Sequence, residues 1–199
     1  MTDEKSLQPP SYGWDERYRH QDTPWDRGEP SPFLNVCLER LEPGQTILVP
    51  GCGAGHEVVA LATLGFRVSA IDFSEVAINR CQQALDERGA KADLYLADVL
   101  TWSVEQPFDA VYEQTCLCAL DPSDRGSYAS QLARWLRPEG HLFAAFLQTE
   151  STTGPPFHCP IPEMEQLFSH PEWDWPEQPG VRVERGPRPF ELAYILTRR

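Results

Sequence analysis

Lysine is nearly absent from this 199-residue chain: only Lys5 and Lys91 occur, and neither completes a Tyr-x-x-x-Lys pair. That counts against an NAD-linked oxidoreductase. Basic charge is scarce in general. Seventeen Lys and Arg face thirty Asp and Glu, a formal charge of −13, which repels phosphate backbones and disfavours nucleic-acid binding. No apolar run approaches the ~20 residues that span a bilayer. The opening Met1-Thr2-Asp3-Glu4-Lys5-Ser6 shows neither the basic region nor the apolar stretch of a signal peptide, so a soluble, cytoplasmic protein is expected. Metal-ligand spacing is missing too. Six cysteines are scattered at positions 37, 52, 81, 116, 118 and 159, and the close pairs Cys116-x-Cys118 and His158-Cys159 do not have zinc-site spacing. No metal is expected, and the cysteines read as reduced, buried thiols.

What is present is ordinary globular material, 41% hydrophobic and 24% charged. Residues 1–30 are polar, with Trp14, Tyr18 and Trp25 set among prolines. Trp14 and Tyr18 fall on one face if the segment is helical, and the segment reads as an aromatic lid. From residue 46 strand and helix alternate. Strands are expected over 46–50, 67–72, 92–97, 108–115 and 141–147, then a pair over 181–185 and 190–197 joined through Gly186-Pro187. Helices are expected over 56–64, closed by Gly65, and after the Ser74 cap up to Gly89. Another should run from Asp121-Pro122 to Arg137, stopped by Pro138-Glu139-Gly140, and a short one should begin near Pro162. The fold class is α/β: one domain over 1–199, a doubly wound, mostly parallel, Rossmann-like sheet of seven strands with a C-terminal antiparallel hairpin.

In such sheets ligands bind beyond the carboxyl ends of the strands, and three groups are expected there. The first is the turn Gly51-Cys52-Gly53-Ala54-Gly55, where glycine admits positive φ and close approach. Asp72 ends the next strand, at a spacing that suits a carboxylate accepting ribose hydroxyls. Asp98, followed by Val99, ends the third. A dinucleotide fingerprint would require glycine at position 56, where His56 stands. Glu57 in the helix's first turn would repel a pyrophosphate and welcome an ammonium. The chemistry favours S-adenosylmethionine, which has no phosphate, over NAD.

Several segments resemble the thiopurine methyltransferase superfamily, and more closely its branch of plant and bacterial thiol/halide methyltransferases. They are Trp14-Asp15-Glu16-Arg17-Tyr18, Thr23-Pro24-Trp25-Asp26 and the run Leu48 to Glu57. Asp98-Val99 with Trp102, Cys118-Ala119-Leu120-Asp121-Pro122 and Gly154-Pro155-Pro156-Phe157 add to it. The resemblance implies cofactor contacts at Trp14, Tyr18, Trp25, Gly51, Asp72, Asp98, Val99 and Gln114; Gly53 joins them from the glycine turn. The chain departs from the branch at Tyr18, Gln114, Cys116 and Leu117. The aromatic segment would then fold over a sulfonium and hold it by cation–π attraction of roughly 1–2 kcal/mol when desolvated.

The expected reaction is methyl transfer to a small soft nucleophile, a thiol first, with no strong general base required because a thiol of pKa about 8.5 ionises in part near neutral pH. Trp25, Phe157 and His158 are expected to shape the acceptor side, with His158 and Glu113 as candidate catalytic groups. Halides, selenium or tellurium species and secondary metabolites are alternative acceptors. An NAD-dependent oxidoreductase and a non-catalytic nucleoside-binding regulator are the alternative classes. The expected partner is a small-molecule acceptor, not nucleic acid or a membrane, and a monomer is compatible with that.

Overall fold

A computed structural model describes residues 13–184 and 189–199. The expected hairpin connection through Gly186-Pro187 lies outside the described residues, as does the first part of the lid segment. The described elements run α1 (Trp14–Arg19), α2 (Phe33–Leu38), β1 (Thr46–Pro50), α3 (His56–Thr63), β2 (Arg67–Asp72), α4 (Glu75–Arg88), β3 (Asp93–Leu96) and β4 (Phe108–Gln114). They continue with α5 (Arg125–Trp135), β5 (Leu136–Gln148), α6 (Ile161–Leu167), β6 (Trp173–Asp174), β7 (Val181–Glu184) and β8 (Phe190–Arg198).

The strands form one sheet in the order β3-β2-β1-β4-β5-β8-β6, with β7 also on β8. Pairs among β1 to β5 are parallel, and β8 runs antiparallel to β5, β6 and β7. The α/β class and the mostly parallel sheet with its antiparallel C-terminal end are as read from sequence. The strands number eight because the two-residue β6 shares an edge of β8 with β7. Strand order reverses between β1 and β4, so the glycine turn after β1 and the end of β4 flank the switch point.

Alternation along the strands builds two cores. Ile47 and Val49 point to one face and pack with Phe33, Val58, Leu61, Cys81 and Leu85. Leu48 and Ile71 point to the other, with Tyr128, Leu132, Trp135 and Phe146. The local chemistry of α4 is the expected one: the Ser74 side chain accepts the Ala77 N–H at 3.1 Å, and Gly89 ends the helix in the left-handed region at φ 62.

Both ends of one helix differ from expectation. Asp121 does cap a start, accepting Ser123 N–H at 2.9 Å, but the capped element is a short 3-10 turn over Pro122–Asp124, and α5 begins at Arg125. The helix ends at Trp135 rather than Arg137. Leu136 is already extended (φ −95, ψ 136) and pairs with Phe108, and Pro138 disfavours helical geometry at Arg137. The segment Arg137–Gly140 then bulges out of β5, with Glu139 at φ 61 and Arg137 Nε donating to Asp109 at 2.8 Å, before regular pairing resumes at His141. Among the described residues no helix is long and apolar enough to cross a membrane.

Candidate active site

The switch point opens into a cavity of about 790 Å³, in the upper part of the range for small-molecule sites. Its floor is the turn after β1. Gly51, Gly53 and Gly55 all hold positive φ (60, 55 and 83), and each is closely overlaid: a Cβ would fall 2.9 Å from Cys116 Cβ at Gly51, 2.9 Å from the Tyr18 hydroxyl at Gly53, and onto Cys81 at Gly55. Three of the five amides of the turn are engaged within the protein. Cys52 N–H donates to Ile71 O at 3.0 Å, Gly55 N–H to Cys52 O at 3.0 Å, and Gly53 N–H to the Asp72 carboxylate at 2.9 Å. A pyrophosphate cradle needs such N–H groups turned toward the ligand; here they hold the turn together.

Asp72, at the end of β2, takes Gly53 N–H on one oxygen and Ser74 N–H on the other, at 2.9 and 2.8 Å. Burial lifts its pKa above the ordinary carboxylate value, while the two backbone donors pull it down. Each oxygen keeps a lone pair beyond these bonds, and the residue lines the cavity. Asp98, at the corresponding place after β3, accepts Leu100 N–H at 2.9 Å and lines it as well, beside buried Val99. Glu57 accepts Ser31 N–H at 2.8 Å.

The lid comes from α1 and the loop after it. Trp14 and Trp25 meet edge to face at 5.3 Å, Tyr18 and Trp25 at 5.7 Å, and Trp25 Nε1 donates to the Tyr18 hydroxyl at 3.3 Å. Tyr18 is buried over Gly53, and burial raises its phenol well above the ordinary value. Cations of the protein itself sit on these rings. Arg17 lies 4.5 Å from the Trp25 centroid and Arg80 5.5 Å from that of Tyr18, so one face of each ring is taken and a sulfonium would meet edges or opposite faces.

All nine expected cofactor contacts therefore meet in one cavity: Trp14, Tyr18, Trp25, Gly51, Gly53, Asp72, Asp98, Val99 and Gln114. Gln114 is held in a chain, accepting from the Tyr112 hydroxyl at 2.9 Å and donating to Glu191 at 2.6 Å. The next residue, Thr115, takes φ 64, which is strained for a β-branched side chain. Of the expected acceptor residues, Trp25 lines the cavity and Phe157 and His158 do not; their loop contributes Pro156 instead. Phe157 N–H donates to Cys118 O at 2.7 Å, and His158 Nδ1 stands 3.3 Å from both Leu147 O and Thr149 N. Glu113 is fully buried behind the wall. One oxygen accepts Leu117 N–H at 2.7 Å, the other has no partner among the described residues, and burial pushes its carboxyl up to about 7.

The wall also holds residues that sequence reasoning did not assign: Arg17, Asp26, Arg27, His56, Cys116, Cys118 and Asp121. His56 Nε2 lies 2.7 Å from the Asp26 carboxylate. For Cys118 and Asp121 the signal was their place in the run Cys118-Ala119-Leu120-Asp121-Pro122. The lining as a whole carries seven carboxylates and two guanidinium groups, which suits a cationic sulfonium and its ammonium better than a phosphate. Phosphate-free donor chemistry, spare carboxylate lone pairs and committed turn amides all fit S-adenosylmethionine. Asp72, Asp98, the glycine turn and the lid rings all line the cavity.

Residues 10–179 match the family model described as Thiopurine S-methyltransferase (TPMT). A probable thiol methyltransferase 2 of Arabidopsis thaliana is 33% identical over 162 residues, covering 79% of this chain and 72% of the relative. A thiocyanate methyltransferase 1 of the same plant is 30% identical over 161 residues, 78% and 70%. A thiopurine S-methyltransferase of Vibrio atlanticus is 27% identical over 156 residues, 70% and 72%. Among solved structures, a 1,6-didemethyltoxoflavin-N1-methyltransferase of Burkholderia thailandensis, crystallised with S-adenosylhomocysteine, superposes with a TM-score of 0.77 at 19% identity. It covers 94% of this chain and 85% of its own. The N-methyltransferase NodS of Bradyrhizobium japonicum gives 0.72 at 21%, covering 94% and 97%. The chain belongs to the thiopurine S-methyltransferase family and is an S-adenosylmethionine-dependent methyltransferase.

Proposed function

We propose that this enzyme methylates a small thiol, and that residues 1–199 act as one methyltransferase domain. The observation that supports it is the meeting of the glycine turn, two strand-end carboxylates and three lid rings around one cavity. The relatives named for thiol, thiocyanate and thiopurine transfer narrow the acceptor to soft sulfur nucleophiles. When bound, S-adenosylmethionine supplies an electrophilic methyl group on a sulfonium. Asp72 would accept the ribose hydroxyls with the lone pairs that Gly53 and Ser74 leave over. Asp98 and Val99 would border the adenine. Gly51 and Gly53 let Cys116 and Tyr18 close tightly over the turn that forms the floor. Trp14, Tyr18 and Trp25 cover the reacting end and exclude water from it.

No side chain in the cavity wall need act as a strong base. A thiol is partly ionised near neutral pH, and orientation of the two reactants contributes up to roughly 7–11 kcal/mol in well-aligned cases. Glu113 and His158 would act from behind the wall, by holding Leu117 and the 149–158 loop in place. The six cysteines, all free and buried, fit a reducing cytoplasmic compartment. The test is methyl transfer from labelled S-adenosylmethionine to a panel of aliphatic and aromatic thiols, hydrosulfide, thiocyanate and halides. Thiol products are expected to dominate. A panel in which halide alone is methylated would replace the thiol reading with the halide one.

A further inference from the structure

Arg27 is the one guanidinium in the cavity wall with a buried donor left unpaired among the described residues. The other, Arg17, is paired with Asp22 at 3.1 Å and lies on Trp25. Arg27 is half-buried, and its Nη1 donates to Glu184 O at the end of β7 at 2.9 Å, which fixes the plane of the group. Its Nε is buried without a hydrogen-bond partner among the described residues. Leaving a charged donor buried and unpaired is unfavourable. Of the lining carboxylates, Asp26 is engaged by His56 and by Gly28 N–H, and Glu57 by Ser31 N–H.

The geometry points to Arg27 as a carboxylate-binding residue of this cavity. A guanidinium edge presents two parallel N–H groups whose spacing matches a carboxylate, and such charge-assisted forks are stronger than neutral hydrogen bonds. With Arg17 committed to Asp22, Arg27 stands as the available cation among seven lining carboxylates. That gives the selectivity required, because a carboxylate ligand is repelled elsewhere along the wall. The inference rests on the methyltransferase reading, and it has two chemical sources. The carboxylate belongs either to the methionine end of the methyl donor or to the acceptor, which would then be a mercapto acid.

The experiment compares wild type with Arg27→Gln and Arg27→Lys by calorimetry and by thermal melting. S-adenosylhomocysteine is set against 5′-methylthioadenosine, which lacks the amino-acid end, and mercaptoacetate against neutral 2-mercaptoethanol. Wild-type binding of S-adenosylhomocysteine tests the underlying reading by itself, before any variant is measured. If the carboxylate is the donor's, Arg27→Gln loses roughly tenfold or more in affinity for S-adenosylhomocysteine and nothing for methylthioadenosine. If it is the acceptor's, S-adenosylhomocysteine binding is kept and mercaptoacetate alone is lost. Arg27→Lys restores part of either loss, since charge remains without the fork. Equal losses on the charged and neutral member of each pair, or no loss on any, would overturn the assignment.

Discussion

Asp72 joins three structural layers in one side chain. It ends β2, fastens the Gly53 turn and the Ser74 cap by two backbone hydrogen bonds, and still offers lone pairs to the cavity. Asp72→Asn keeps the shape and replaces one acceptor with a donor that opposes Gly53 or Ser74 N–H. We expect S-adenosylhomocysteine affinity to fall tenfold or more, read by calorimetry, corresponding to a charge-assisted hydrogen bond of about 1.5–3 kcal/mol. Glu113 carries a different signature. Burial raises its carboxyl from 4.5 to about 7, so the neutral form is the one the fold favours. Its contribution to stability is fully present below pH 4.5 and is lost as the pH rises through about 7. Wild type should therefore lose stability relative to Glu113→Gln between pH 4.5 and 8, by on the order of 3 kcal/mol. Urea titrations across that range check it, and parallel stability profiles would contradict it.

At the scale of elements, the turn between β1 and α3 is the most constrained part of the site. A methyl group at Gly55 would run into Cys81 on α4 and sit at φ 83, so Gly55→Ala should destabilise by about 1–3 kcal/mol and shift the urea midpoint. Ser74→Ala removes the α4 cap and should cost about 1 kcal/mol. Its melting temperature measures that. These two elements were legible in the sequence because their determinants are local: an apolar run ending in three alternate glycines, and a serine followed by a helical stretch closed by glycine. Other elements depend on contacts far along the chain. Trp173–Asp174 becomes a strand only because Arg198 and Thr197 of β8 lie beside it, and two residues carry no periodicity to read. The end of α5 is set by the pairing of Leu136 with Phe108, a tertiary choice that overrides the helical pattern up to Arg137.

At the scale of the whole molecule, the chain is strongly acidic, yet the placement of charge matters more than its sum. Carboxylates line the cavity, and the lid carries the two arginines that reach it. The carboxylates at strand ends could be read from sequence, since β-strand ends in a doubly wound sheet converge on one edge. Arg27 could not, because its position depends on Glu184, 157 residues away. Phe157 and His158 were expected at the wall on the assumption that their loop tip faces inward; the structure turns Pro156 inward instead.

The central claim is that this cavity holds a phosphate-free, positively charged methyl donor on carboxylates and rings. Calorimetric titration with S-adenosylhomocysteine and, separately, NADH tests it most directly. Saturable heat with S-adenosylhomocysteine, weakened in Asp72→Asn, and none with NADH is the predicted result; saturable heat with NADH and none with S-adenosylhomocysteine would contradict it.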